Sequence, residues 1–170
     1  DVEGATVLAD PTRIHQVIMN LCTNAYHAMR ESGGRLTVAL DRVDLTEPRQ
    51  ANGSRILPGP YLQLTIRDTG HGIPPDVMDR IFDPYFTTKP VNEGTGLGLS
   101  VTLGIVKTMK GVIEVESAVG AGTAFTLWLP VIEDQICPAT PSFLDVPQGR
   151  REHILLVDDE QMILDVGREM

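Results

Sequence analysis

Two glycine clusters flank a short aromatic segment that carries a lysine, and this arrangement constrains the fold more than any other feature. The first cluster is Asp68-Thr69-Gly70-His71-Gly72-Ile73, at the end of an alternating apolar run. The segment is Ile81-Phe82-Asp83-Pro84-Tyr85-Phe86-Thr87-Thr88-Lys89, and Gly94-Thr95-Gly96-Leu97-Gly98-Leu99-Ser100 follows it. Glycine lets backbone approach a ligand closely and take up positive φ. A glycine cluster that opens a helix also turns unbonded N–H groups toward an anion. Either cluster alone is weak evidence. In this order, with a lysine between them, they predict a nucleotide phosphate site.

The flanking patterns supply the elements that would hold such a site. Residues 2–9 read as a first strand of loose period. Asp10 and Pro11 then make a helix start, with Asp as N-cap and Pro in the first helical position. Ile14, Val17, Ile18, Leu21, Cys22, Ala25, Ala28 and Met29 recur at helical spacing until Gly33 and Gly34 stop the run. Residues 35–43 and 61–68 alternate as strands, and the second delivers Asp68 at its end. Between them, residues 47–60 read as an exposed loop rich in Pro and Gly. A short helix is expected over 74–81, and residues 82–93 have no period and should be mobile. A helix is expected over 98–110, with Gly111 as its stop. Strands over 112–117 and 123–129 form a hairpin around the turn at 118–122.

Composition limits the partners. The chain has 170 residues, enough for one domain and an appendage, and its formal net charge of −9 argues against nucleic acid as a ligand. An acidic chain still binds a nucleotide where backbone dipoles and a divalent cation handle the charge locally. Cys22 and Cys137 show neither metal spacing nor a disulfide framework, so Cys22 reads as a small core residue and the cytoplasm as the default compartment. No apolar run is long enough to span a membrane, so no membrane contact is expected.

With these residues laid out, residues 1–130 resemble the catalytic ATP-binding domain of sensor histidine kinases, within a superfamily that includes gyrase-type ATPases, Hsp90 and MutL proteins. Four boxes carry the resemblance. The asparagine box spans residues 15–28, and the two glycine clusters enclose the phenylalanine box. The resemblance implies a two-layer α/β sandwich of the Bergerat type: a mixed, mostly antiparallel sheet with helices on one face. It implies ATP and Mg²⁺ as cofactors. Asn24 would hold the metal, assisted at the phosphates by Asn20 one helical turn earlier, and an amide oxygen can ligate Mg²⁺ without adding charge. His27 would contact phosphate, although a plain surface histidine fits that position as well.

Asp68 would accept a hydrogen bond from the adenine amino group, and Gly70, Gly72 and Ile73 would pass beside the base. Thr123 would support that recognition through the same carboxylate. Lys89 would reach the β- or γ-phosphate, giving it a catalytic part with Asn24. Gly94, Thr95, Gly96, Leu97, Gly98 and Leu99 would form the lid over the triphosphate. Hydrolysing relatives carry a glutamate where this chain has Asn20, an amide that cannot act as a base. The reaction implied is therefore transfer of the γ-phosphate to another group.

In such kinases the recipient is a histidine on a separate upstream dimerisation domain, and none of His15, His27, His71 or His153 sits in that pattern. Both ends of the chain look cut, so it should bind nucleotide yet show little autophosphorylation. Residues 131–151 read as a proline-bearing linker. Residues 152–170, with His153-Ile154-Leu155-Leu156-Val157 ending in Asp158-Asp159, resemble the start of a response-regulator receiver domain. That would make the parent a hybrid kinase, whose partners are its own dimerisation domain and a receiver or response regulator. The competing readings are a gyrase- or Hsp90-like ATPase module and a non-catalytic partner-binding domain of the same fold.

Overall fold

The computed structural model describes residues 5–51, 54–89 and 94–132. All of them lie in the first of two compact units, Asp1–Gln135. The elements run α1 (Pro11–Met29), β1 (Thr37–Leu45), β2 (Arg49–Ala51), β3 (Ser54–Ile56), β4 (Gly59–Arg67), α2 (Pro75–Met78), α3 (Gly98–Thr108), β5 (Val112–Ala118) and β6 (Gly122–Pro130). The main sheet has the order β1-β4-β6-β5, and each of its three pairings is antiparallel.

The helices cover one face of this sheet, as the sequence predicts. Asp10 caps α1 by accepting the Thr12 N–H at 2.8 Å, with Pro11 in the first turn. Val17 and Leu21 of α1 and Ile105 and Val106 of α3 bury against Leu64, Ile66, Ile113, Phe125 and Leu127 of the sheet. Fully burying each such side chain stabilises the fold by roughly 1.5–3 kcal/mol. Cys22 is half-buried at the margin of this core.

Four expectations need correction. Residues 5–9 form no strand: the Thr6 carbonyl accepts the Ile132 N–H at 2.8 Å, but Leu8 is exposed and the loose period sets no register. The expected loop over 47–60 instead contains the β2–β3 hairpin, packed on the other face of the sheet. There Ala51 and Ile56 bury against Trp128, with Val43, Leu45, Tyr61 and Val112 around them. Arg49 lies 5.3 Å from the Trp128 ring centroid and 2.8 Å from Glu114, whose other oxygen accepts the indole N–H at 3.3 Å. The helix expected over 74–81 keeps only the turn Pro75–Met78. Finally, α3 ends at Thr108, two residues short of the expected 110, and a turn leads to Gly111. Lys110 takes the left-handed conformation at φ 56°, and Gly111 N–H and Lys110 N–H close onto the Val106 and Lys107 carbonyls.

The stripe of Leu36, just before β1, and Val38 and Leu40 within it is also less buried than its alternation implies. Val38 and Leu40 pair with Ile66 and Leu64, so they share the helix-covered face, but β1 is the edge strand and the stripe is exposed. Residues 90–93 and 133–170, which hold most of the predicted linker and the receiver-like segment, lie outside the described residues.

Candidate functional site

A cleft of about 1020 Å³ opens between α1, the loop after β4, the segment before α3 and the start of β6. Of the predicted site residues it is lined by Asn20, Asn24, His27, Asp68, Gly72, Ile73, Lys89, Gly94, Thr95, Gly96, Gly98, Leu99 and Thr123. Gly70 and Leu97 do not line it. Gly70 is instead a spacer: a Cβ there would press into the Ala28 carbonyl at the end of α1. Leu97 is the N-cap residue of α3. Ile81 and Phe86 of the phenylalanine box form an apolar wall there, joined by Val77 and Phe125 from outside the boxes.

At one end stands Asp68, 5% exposed. It follows directly on the end of β4, an interior strand, where its backbone N–H donates to the Thr123 carbonyl at 2.8 Å. Its Oδ1 accepts the Gly70 N–H at 2.8 Å and the Thr123 N–H at 3.3 Å. Those bonds leave Oδ2 as an acceptor for a ligand. Thr123 thus supports the carboxylate as expected, but through its backbone amide, while its hydroxyl meets Ser117 Oγ at 2.9 Å. Ser117 also accepts the Ile73 N–H at 2.8 Å and donates to the Gly122 carbonyl at 2.9 Å. No motif pointed to Ser117. Gly72 has φ 73°, and a Cβ there would collide with the Ala118 carbonyl, so the loop seats directly on the β5–β6 turn.

At the other end, α1 presents Asn20 and Asn24 one turn apart. Asn20 Nδ2 donates to the Gly98 carbonyl at 3.2 Å and to Thr102 Oγ1 at 3.4 Å. This leaves its carbonyl oxygen out of both bonds. Asn24 Oδ1 accepts the Lys89 ammonium at 3.1 Å. The first turn of α3 carries no side-chain cap, and Gly98 and Leu99 face the cleft, so its N–H groups are available to an anion. His27 stands one turn beyond Asn24, its ring edge-on to Tyr26.

The segment between α2 and α3 is held by backbone. Tyr85 takes a left-handed conformation at φ 66° and donates its N–H to the Gly96 carbonyl at 2.9 Å. Gly96 mirrors it at φ 66°, and a Cβ there would strike the Tyr85 backbone. Phe82 packs against the main core, while Phe86 lines the cleft beneath the Arg80 guanidinium, 4.5 Å from its ring centroid.

A deep cleft on the helix-covered face of an antiparallel sheet, with a carboxylate at one end and paired amides at the other, matches one family. Residues 9–133 match the family model for histidine kinase-, DNA gyrase B- and HSP90-like ATPases, and the chain belongs to that family. Within it, the fold and sequence are those of the ATP-binding catalytic domain of sensor histidine kinases. The chain is 40% identical over 165 residues to the sensor kinase CckA of Brucella abortus, covering 92% of this chain and 17% of that protein. Its fold is similar to the mycobacterial sensor histidine kinase MprB, with TM-score 0.56, 28% identity and 74% of each chain covered. Full-length ShkA, solved with AMPPNP, is similar at TM-score 0.53 and 28% identity over 75% of this chain and 23% of that one. The chain therefore spans about a sixth of the curated relative named here.

Proposed function

We propose that this chain binds ATP with Mg²⁺ and presents the γ-phosphate to a histidine of an upstream dimerisation domain, as the catalytic module of a two-component sensor kinase. The observation that carries the reading is the pairing of opposite ends in one cleft: a carboxylate oxygen available to an amino group, and an amide oxygen already holding a cation. Asp68 Oδ2 would accept the adenine amino proton, with the apolar wall of Ile73, Ile81 and Phe125 against the base. The α3 N-terminus, Lys89 and His27 would receive the phosphates.

The donor set fits a magnesium ion. Among the described residues no group of three His, Cys, Asp or Glu side chains could hold a metal. A Mg²⁺ site built on one or two protein oxygens plus nucleotide phosphates needs none. Asn24 Oδ1 would be its protein ligand, assisted by Asn20, and the bound ion would neutralise charge on the β- and γ-phosphates. Lys89 would exchange Asn24 for a phosphate oxygen as the nucleotide enters. Phosphoryl transfer rests mainly on such positioning and neutralisation. Asn20 cannot activate water, and among the described residues the carboxylates lining the cleft are Asp68, tied to backbone, and Glu31 beyond the end of α1. Transfer is favoured over hydrolysis.

We assign residues 1–130 to the kinase domain, 131–151 to a linker and 152–170 to the start of a receiver domain. Identity with CckA over 165 residues, past the end of the family match at 133, supports the later segment belonging to a sensor kinase. A cytoplasmic setting fits the ATP requirement, and no described helix is long and apolar enough to cross a membrane.

Titration calorimetry with ATP and GTP, with and without Mg²⁺, tests the binding reading. Binding that prefers ATP and tightens with Mg²⁺ supports it, and absence of binding at millimolar ATP refutes it. Incubation with γ-labelled ATP should leave the chain unlabelled until a histidine-bearing dimerisation domain is added. Steady ATP hydrolysis by the chain alone, lost in Asn24→Ala, would instead favour the ATPase module.

A further inference from the structure

We infer that Ser117 sets the base specificity of the cleft by fixing which way the Thr123 hydroxyl points. The inference rests on the ATP reading above and concerns how adenine is told from a 6-oxo purine. Ser117 has one hydroxyl proton and three neighbours around its oxygen. The Ile73 N–H donates to it at 2.8 Å, so that contact uses a lone pair. The Gly122 carbonyl, 2.9 Å away, can only accept, so it takes the serine proton. With that proton engaged, the 2.9 Å contact to Thr123 Oγ1 is a hydrogen bond only if the threonine donates.

The consequence lies one bond further on. Thr123 is 5% exposed and lines the cleft next to Asp68. Its proton is directed at Ser117, so toward the ligand its oxygen offers lone pairs alone. Asp68 Oδ2 is likewise an acceptor. The two buried polar side chains at this end therefore both accept, and a base that brings an amino group satisfies them. A 6-oxo purine brings another acceptor, and a rotatable hydroxyl would satisfy it by turning round. Ser117 removes that freedom. It is a positioning residue that acts through Thr123, and its effect falls on selectivity ahead of affinity.

The experiment compares ATP and ITP, which differ at the 6-position, by displacement of a fluorescent nucleotide from the 170-residue chain with Mg²⁺ present. The wild-type chain should prefer ATP by about 100-fold or more, because an amino-specific site rejects the oxo analogue. Equal binding of the two, or binding of neither, would overturn the ATP reading itself. Ser117→Ala should narrow the preference by about tenfold, chiefly by gaining ITP affinity, and Ser117→Thr should restore it. A parallel fall in both affinities with the preference unchanged would overturn the inference and leave Ser117 a purely structural residue. Thr123→Val keeps the probe usable if Ser117→Ala does not fold. It should weaken ATP and spare ITP, and equal losses for both would again refute the assignment. In the Thr123→Val background Ser117→Ala should no longer move the preference.

Discussion

The two ends of the cleft are built differently. At the Asp68 end, the carboxylate and Thr123 are each 5% exposed, and backbone amides fix both the loop and the carboxylate oxygen. The His71 N–H donates to the Ala28 carbonyl and its carbonyl accepts the Gly120 N–H, so α1, the glycine loop and the β5–β6 turn are joined there. At the Lys89 end, the groups are half-buried, and the bond from the Lys89 ammonium to Asn24 Oδ1 joins two flexible side chains. Main chain decides geometry at the first end and side-chain rotamers decide it at the second. A base of fixed shape can be read by a preformed site, which has no ordering cost at binding. A triphosphate and its metal are better met by groups that can exchange partners.

The largest effect expected from this contrast is at the rigid end. Asp68→Asn should keep the bonds from Gly70 and Thr123, because an amide oxygen can replace Oδ1. Its Nδ2 would then face the cleft and present donors to an amino group. Loss of a charge-assisted bond and the new clash of donors together amount to about 3 kcal/mol, or roughly 100-fold in ATP affinity. Calorimetry should show this loss beside an unchanged melting temperature. Unchanged ATP affinity would remove Asp68 from the site.

Next come two positive-φ glycines that line the cleft, Gly72 at one end and Gly96 at the other. Gly72→Ala puts a Cβ against the Ala118 carbonyl in a joint that α1 also enters, so it should cost about 2 kcal/mol of fold stability and weaken binding too. Gly96→Ala meets the Tyr85 backbone in a segment with fewer anchors. It should weaken ATP binding about tenfold while moving stability by less than about 1 kcal/mol. Denaturant melts of both variants measure the contrast. Equal destabilisation would mean that the segment before α3 is as firmly built as the Asp68 loop.

Much of the rigid end was legible in the sequence, because it depends on residue types with one strong meaning. Asp10 and Pro11 start a helix, and Asp68 follows an alternating strand; the helix itself ends at Met29, four residues before Gly33. Thirteen of the fifteen predicted site residues line one cleft, twelve of them from the four boxes and Thr123 from outside them. What escaped depends on tertiary neighbours. Gly70 fits the ligand-approach pattern as well as any glycine, yet it faces the end of α1. Ser117 reads as an ordinary strand residue until the turn folds Gly122 and Thr123 back onto it. The β2–β3 hairpin was hidden because Ala51 and Ile56 are too few to make a period, and Trp128, which buries them, lies far along the chain. Leu36, Val38 and Leu40 alternate well, but periodicity cannot tell a central strand from an edge strand.

The smallest effects belong to the adaptable end, and their pattern matters more than their size. Asn24→Ala should leave Mg²⁺-free ATP binding nearly unchanged and weaken binding with Mg²⁺ by about tenfold, since it removes one oxygen ligand. Lys89→Met should lower affinity by about three- to tenfold, and the loss should shrink at high salt because a screened charge is all that was removed. Neither change should lower stability by more than about 0.5 kcal/mol, because the bond they share joins two partly exposed side chains. Titrations at two salt concentrations, with and without Mg²⁺, separate the two roles. If Lys89→Met strengthened Mg²⁺-dependent binding, the lysine would be a competitor for Asn24 rather than a phosphate contact. The phosphate grip would then lie with α3 and His27 alone.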